Sequence, residues 1–163
     1  MLQSKTITPR QLLVRVADRA ALVEESFRHP LDAESELHGY ALSRQVGLER
    51  NVVMLARVPP HREAYAAHVH AGEEEWLFVL EGSGILAIAD ESYEIAPGDF
   101  VGFPPGTYAH NVRNPNSSDL VYLCGGERRD IDVVDYPVAR RRVVRIGGEM
   151  TVYPARAGEP LFP

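Results

Sequence analysis

The chain has little sulfur chemistry available to it. A single cysteine, Cys124, stands among its 163 residues, so no internal disulfide can form. That cysteine ends the apolar run Leu120-Val121-Tyr122-Leu123-Cys124, which reads as a core thiol rather than a nucleophile. Basic residues are also scarce: 17 lysines and arginines face 23 aspartates and glutamates, for a net charge of -6. A general nucleic-acid binder needs a basic face to displace counterions, so nucleic acid is excluded as an expected partner. No apolar run approaches the roughly 20 residues of a membrane helix, which argues against a membrane partner. Met1 to Arg10 lacks the apolar core of a secretory signal. Together with the lone thiol, this predicts a cytoplasmic protein.

What the chain does have is enough length and apolar content for one domain with a real core. Ala17 to Glu25 offers a helix, with Asp18 as N-cap and Leu22 and Val23 for packing. His29-Pro30 ends it. Beyond this the pattern changes to short apolar runs: Asn51–Val58, Glu75–Glu81, Gly84–Ala89, Phe100–Phe103, Ala109–Arg113, Leu120–Cys124, Arg142–Ile146 and Met150–Tyr153. Turn signals separate them: Gly82-Ser83-Gly84, Ala89-Asp90-Glu91-Ser92, Pro97-Gly98-Asp99, Pro104-Pro105-Gly106 and Asn114-Pro115-Asn116. Such spacing predicts an all-β fold, an antiparallel sandwich or barrel. The final stretch, Ala155 to Pro163, is expected to trail over the surface.

His68-Val69-His70, Glu75 and His110 form the chemically richest pattern. Residues two apart on a strand share a face, about 7 Å apart, and inward-curving side chains can close that gap onto one ion. The acidic loop Ala71-Gly72-Glu73-Glu74 returns the chain so that Glu75 lies beside the two imidazoles. Three neutral imidazoles and one carboxylate leave a divalent ion net positive, with one or two positions open for water or substrate.

The full pattern resembles the two motifs of the cupin superfamily. The first is written G-x5-H-x-H-x3or4-E-x6-G. Here it reads His68-Val69-His70, four residues, Glu75, six residues, Gly82. The second, G-x5-P-x-G-x2-H-x3-N, reads Gly98, five residues, Pro104-Pro105-Gly106, three residues, His110, three residues, Asn114. Two departures are visible. Arg62 stands where the first motif opens with glycine, and Thr107-Tyr108-Ala109 carries one extra residue before His110. A one-residue slip there would turn His110 to the other face.

The resemblance implies a double-stranded β-helix (jelly-roll, cupin barrel) with a short N-terminal helix. Residues 1–50 would form an extension with that helix and an edge strand, 51–126 the barrel core, and 127–163 the strands and tail that complete a single domain. It implies one divalent transition metal (Zn, Fe, Mn or Ni) held by His68, His70, Glu75 and His110. It further implies a mononuclear metalloenzyme for a small polar metabolite, with dioxygenase- or isomerase-type chemistry. The alternative is a non-catalytic module that binds or senses a small ligand. Homodimers are common in small proteins of this kind.

Phe103 and Tyr108 bracket the loop leading to His110 and are the substrate-binding candidates. If Glu75 points inward, Leu77 and Val79 share its face, and Trp76 and Phe78 face outward for sheet packing or a dimer interface. Glu73 and Glu74 read as solvated loop carboxylates. His29, His38 and His61 read as surface residues. The cluster Arg140-Arg141-Arg142 with Arg145 reads as a solvated edge or as ion-pair partners of Asp130, Asp132 and Asp135.

Overall fold

The computed structural model describes residues 8–155. Fourteen strands carry nearly all the regular structure: β1 Glu25–Phe27, β2 Leu37–Ala41, β3 Asn51–Val58, β4 Arg62–Glu63, β5 Val69–His70, β6 Glu75–Glu81 and β7 Gly84–Ile88, then β8 Glu91–Ile95, β9 Phe100–Phe103, β10 His110–Asn114, β11 Leu120–Glu127, β12 Ile131–Tyr136, β13 Arg141–Ile146 and β14 Glu149–Pro154. One helical turn, α1 (Leu42–Gln45), follows β2. The strands form a six-stranded sheet, β1-β2-β3-β11-β6-β9, and two four-stranded sheets, β4-β10-β7-β8 and β14-β13-β12-β5. Every pairing within these sheets is antiparallel. This is the all-β fold that the strand spacing predicted, in the jelly-roll form that the resemblance implied. No helix among the described residues is long and apolar enough to cross a membrane.

Alternation decides what each strand buries. On β6, Leu77 and Val79 are buried with Glu75 on their side, while Phe78 and Leu80 are exposed. β11 presents Tyr122 to the same interior, and Leu37, Ala56, Val58, Leu86, Ile95, Phe103, Val112 and Leu120 fill the rest. A fully buried valine or leucine of this kind contributes about 1.5–3 kcal/mol. Asn114 closes β10 from inside: its amide donates to the Val58 and Ser118 carbonyls at 3.0 and 2.7 Å, and its oxygen accepts from the Asn116 N–H at 3.0 Å. That staple ties the end of one sheet to β3 of another and explains an asparagine in the core.

The expected helix over Ala17–Glu25 is not an α-helix. A short 3-10 helix, Val16–Ala21, stands there, and Glu25 already begins β1. Asp18 is not its N-cap but lies one turn in, accepting from the Arg15 N–H at 2.9 Å and from the Arg10 guanidinium. The physical reason is the lack of a packed face: Val16 and Val23 are largely exposed, and so short a helix needs tertiary packing to persist. Glu91 and Ser92, read as turn residues, begin β8 instead. β12 went unrecognised in the sequence. The terminal tail beyond residue 155 lies outside the described residues.

Candidate metal centre

The two histidines of His68-Val69-His70 are held by different sheets. His68 exchanges backbone hydrogen bonds with His110, at 3.1 and 2.9 Å, whereas His70 pairs with Val134 of β12. The chain thus crosses between sheets within three residues, and the two rings approach each other at 5.3 Å, nearly perpendicular. Glu75 starts β6, flanked by Phe103 on β9 and Gly126 on β11. Gly126 makes room for it: a Cβ there would lie 3.2 Å from both Cα and Cγ of Glu75 and collide with the Glu74 carbonyl.

The extra residue before His110 is absorbed by the turn. The Gly106 N–H donates to the His70 carbonyl at 2.7 Å, and the Thr107 hydroxyl donates to the Pro104 carbonyl at 2.7 Å. Gly106 takes a positive φ of 66°, which glycine adopts without a Cβ penalty. His110 keeps its register opposite Ile88 and is buried, with its ring stacked on Phe103 at 3.5 Å.

All three imidazoles turn Nε2 toward one carboxylate. His68 and His110 reach Glu75 Oε2 at 3.3 and 3.2 Å, and His70 reaches Oε1 at 3.4 Å. Each Nδ1 faces an acceptor of its own. His68 has the Ala66 carbonyl at 2.9 Å, His110 the Tyr108 carbonyl at 3.3 Å, and His70 the Asp132 carboxylate at 2.5 Å. An acceptor at Nδ1 can take the ring proton and free Nε2 as a lone pair, the form in which histidine ligates metals, whereas an Nε2 that keeps a proton donates to Glu75. The ligating atoms of His68, His70 and Glu75 lie within 4.8 Å of one another. His110 joins through the shared Glu75 oxygen. The donor set therefore fits a divalent transition ion.

Burial alone would raise the Glu75 carboxyl, but its contacts with His110 and His68 outweigh this and hold it well below the usual carboxylate range. Burial and the nearby Glu75 charge raise Tyr136, to about 12, and also Tyr65. Burial pushes the Cys124 thiol up to about 12. Cys124 is half-buried and lines the interior beside Leu77, in keeping with a wall thiol.

The substrate-binding candidates separate. Phe103 is a wall residue whose ring covers His110. Tyr108 is 63% exposed, and what it brings to the site is its backbone carbonyl. Glu73 is a correction: it is buried, not solvated, paired with Arg145 and accepting from the Arg129 N–H at 2.5 Å. Asp132 is also buried, and of the expected ion pairs with the arginine cluster only Asp135–Arg142 forms among the described residues. The signal for Asp132 was present, since alternation on β12 puts it in phase with buried Val134. His61 is exposed, as expected, but His29 and His38 are half-buried. His38 bonds Glu36, and His29 bonds Tyr136. Tyr65 and Tyr136 pack against His68 and His29 packs against Tyr136, none of the three signalled by a motif.

Comparison with known proteins bears on the family and the fold. Residues 54–126 match the family model described as a cupin domain. Over nearly its whole length the chain is similar to a crystal structure from Acidithiobacillus ferrooxidans, provisionally named a sugar phosphate isomerase. The two are 35% identical, with 96% of this chain and 100% of that one covered and a TM-score of 0.91. The chain belongs to the cupin superfamily. A cupin-superfamily sugar phosphate isomerase from Silicibacter pomeroyi shares the fold at 22% identity, covering 89% of this cupin and 95% of that chain with a TM-score of 0.77. A polyketide cyclase from Streptomyces resistomycificus does so at 23% identity, 71% and 80% coverage and a TM-score of 0.59. Among curated proteins, an uncharacterized protein from Methanocaldococcus jannaschii is 35% identical over 57 residues, which are 35% of this cupin and 45% of that protein. The cupin thus matches less than half the length of that relative.

Proposed function

We propose that this cupin is a metal-dependent isomerase of a small phosphorylated sugar. In this reading His68, His70, Glu75 and His110 hold one divalent transition ion, with Zn, Fe, Mn and Ni all compatible with the donor set. The observation that carries it is the convergence of three Nε2 atoms on Glu75, each ring fixed from behind by an acceptor at Nδ1. The substrate class rests on the full-length resemblance to the Acidithiobacillus protein, whose provisional name carries it. A bound divalent ion supplies Lewis acidity to an adjacent carbonyl and hydroxyl, the pair that an aldose–ketose interconversion exchanges. The protein's share is orientation and water exclusion: Phe103 shields His110, and Tyr65 and Tyr136 close the side beside His68. A second copy of the chain belongs to the same proposal, because Phe78, Leu80 and Phe100 expose apolar surface on the outer face of β6 and β9, where Trp76 stacks on Phe100.

The test is elemental analysis of protein purified without chelator, followed by NMR detection of aldose–ketose interconversion across a panel of sugar phosphates. Turnover should vanish with chelator, return on adding metal and be absent in His70→Ala. Turnover that survives metal removal would refute the metal-dependent mechanism. Tight metal binding with no isomerisation of any panel member would favour the non-catalytic ligand-binding reading.

A further inference from the structure

Tyr136 ends β12 and lays its ring over His68, with centroids 5.8 Å apart and planes 27° from parallel. Its hydroxyl meets His29 Nε2 at 3.2 Å, and the two rings lie 4.9 Å apart. His29 comes from the segment after β1, far outside the cupin motifs, and that segment is pinned: the His29 N–H donates to the Ser35 hydroxyl at 2.5 Å, and Ser35 is buried. The direction of the His29–Tyr136 bond can be worked out. The Leu31 N–H donates to His29 Nδ1 at 3.2 Å, so Nδ1 is an acceptor and the ring proton sits on Nε2. A doubly protonated ring would set two donors against each other at Nδ1. Burial and the nearby His68 also hold His29 below its ordinary pKa. Nε2–H therefore donates to the phenol oxygen, and the phenol's own hydrogen is left without a protein acceptor among the described residues. The Tyr65 hydroxyl, on the other ring that packs against His68, is likewise without one.

We infer that Tyr136, oriented by His29, presents a fixed hydrogen-bond donor to an oxygen of the ligand seated over the four-residue cluster. Tyr136 is the group that touches the ligand, and His29 is a positioning residue acting through it. The ligand chemistry this selects is an oxygen that accepts a hydrogen bond from a neutral phenol. The inference rests on the metal-dependent reading above and adds two residues to it.

The experiment uses the full chain loaded with Co(II), whose visible spectrum reports ligation, titrated with glycolohydroxamate as a bidentate probe. Tyr136→Phe keeps the ring over His68 and removes only the hydroxyl. It should weaken probe binding about tenfold, the range of a hydrogen bond to a charged oxygen. Co(II) affinity should stay within about twofold of the parent protein. His29→Ala should weaken the probe by about threefold, and His29→Gln, whose amide still donates, should recover most of that loss. Adding His29→Ala to Tyr136→Phe should cost nothing further, since the histidine acts only through the phenol. Unchanged probe affinity in Tyr136→Phe, additive losses in the double variant, or a parallel fall in Co(II) affinity would each overturn the inference. Co(II)-loaded parent protein that does not bind the probe would do the same. A parent protein that takes up no Co(II) at all would instead defeat the metal reading, and this inference with it.

Discussion

Asp132 offers the sharpest test of how the site is held. Its side chain has no exposure to solvent, and its two oxygens have separate tasks. Oδ2 faces His70 Nδ1 at 2.5 Å, and Oδ1 accepts from the Gly72 N–H at 2.9 Å. Asp132→Asn keeps the shape but leaves one acceptor for two donors. If the amide oxygen stays with Gly72, the amide nitrogen faces His70 Nδ1. The ring then satisfies it only by moving its proton to Nε2, the atom aimed at Glu75. If the amide turns round, its nitrogen opposes the Gly72 N–H. The first arrangement works directly against ligation through Nε2; the second keeps the tautomer but sets two donors against each other beside His70. Loss of such an anchoring contact typically costs 10- to 100-fold in metal affinity, or about 1.4–2.7 kcal/mol. Asp132→Ala strands both donors at a part-buried site and should destabilise the fold by about 2–4 kcal/mol, with a similar loss of metal. Chelator competition gives the affinity, and thermal unfolding of metal-free protein gives the stability. The expected signature is a large affinity loss in both variants and a much smaller stability loss in Asp132→Asn. An Asp132→Asn protein that binds metal as the parent does would refute the claim that this carboxylate sets the His70 tautomer.

Gly126→Ala should force Glu75 aside, destabilise the barrel by about 1–3 kcal/mol and weaken metal binding; unchanged chelator competition would contradict the packing described for this pair. Cys124, with its thiol pushed up to about 12, should hold only about one thiolate in ten thousand at pH 8. Iodoacetamide should therefore label it slowly in the folded protein and rapidly in denaturant, and mass spectrometry at matched times distinguishes the two. Phe100→Asp should shift sedimentation from dimer to monomer without changing metal content; a parent protein already monomeric at high micromolar concentration would argue against the β6–β9 face as the contact.

Strands with strong alternation or a continuous apolar run were legible in the sequence. β3 and β6 have the expected bounds, because Val and Leu phase decides them and glycine or proline ends them. The short strands β4 and β5 were not legible, since two residues carry no period. Their pairing comes from partners far along the chain. β12 hid for a different reason: Asp132 and Asp135 interrupt it, and a buried aspartate looks like a turn residue until its partner is known. The same holds for the site. His68, His70, Glu75 and His110 were legible because their spacing is local and their chemistry specific, and the structure brings them together. Glu73 was misread because the arginine that buries it lies 72 residues away. Tyr65, Tyr136 and His29 were invisible for a related reason. A tyrosine or histidine without a motif carries no sign of the site it packs against.

The four clustered residues reach the same point from three sheets: His70 through β5 and β12, Glu75 through β6, and His110, with His68 bridged to it, through β10. An ion shared among them would act as a cross-link in the barrel. Amide hydrogen exchange would register this as a change of cooperative unit, with β5, β6 and β10 opening separately in the bare protein and together in the loaded one. The resident metal would then set the mechanical integrity of the barrel as well as its chemistry.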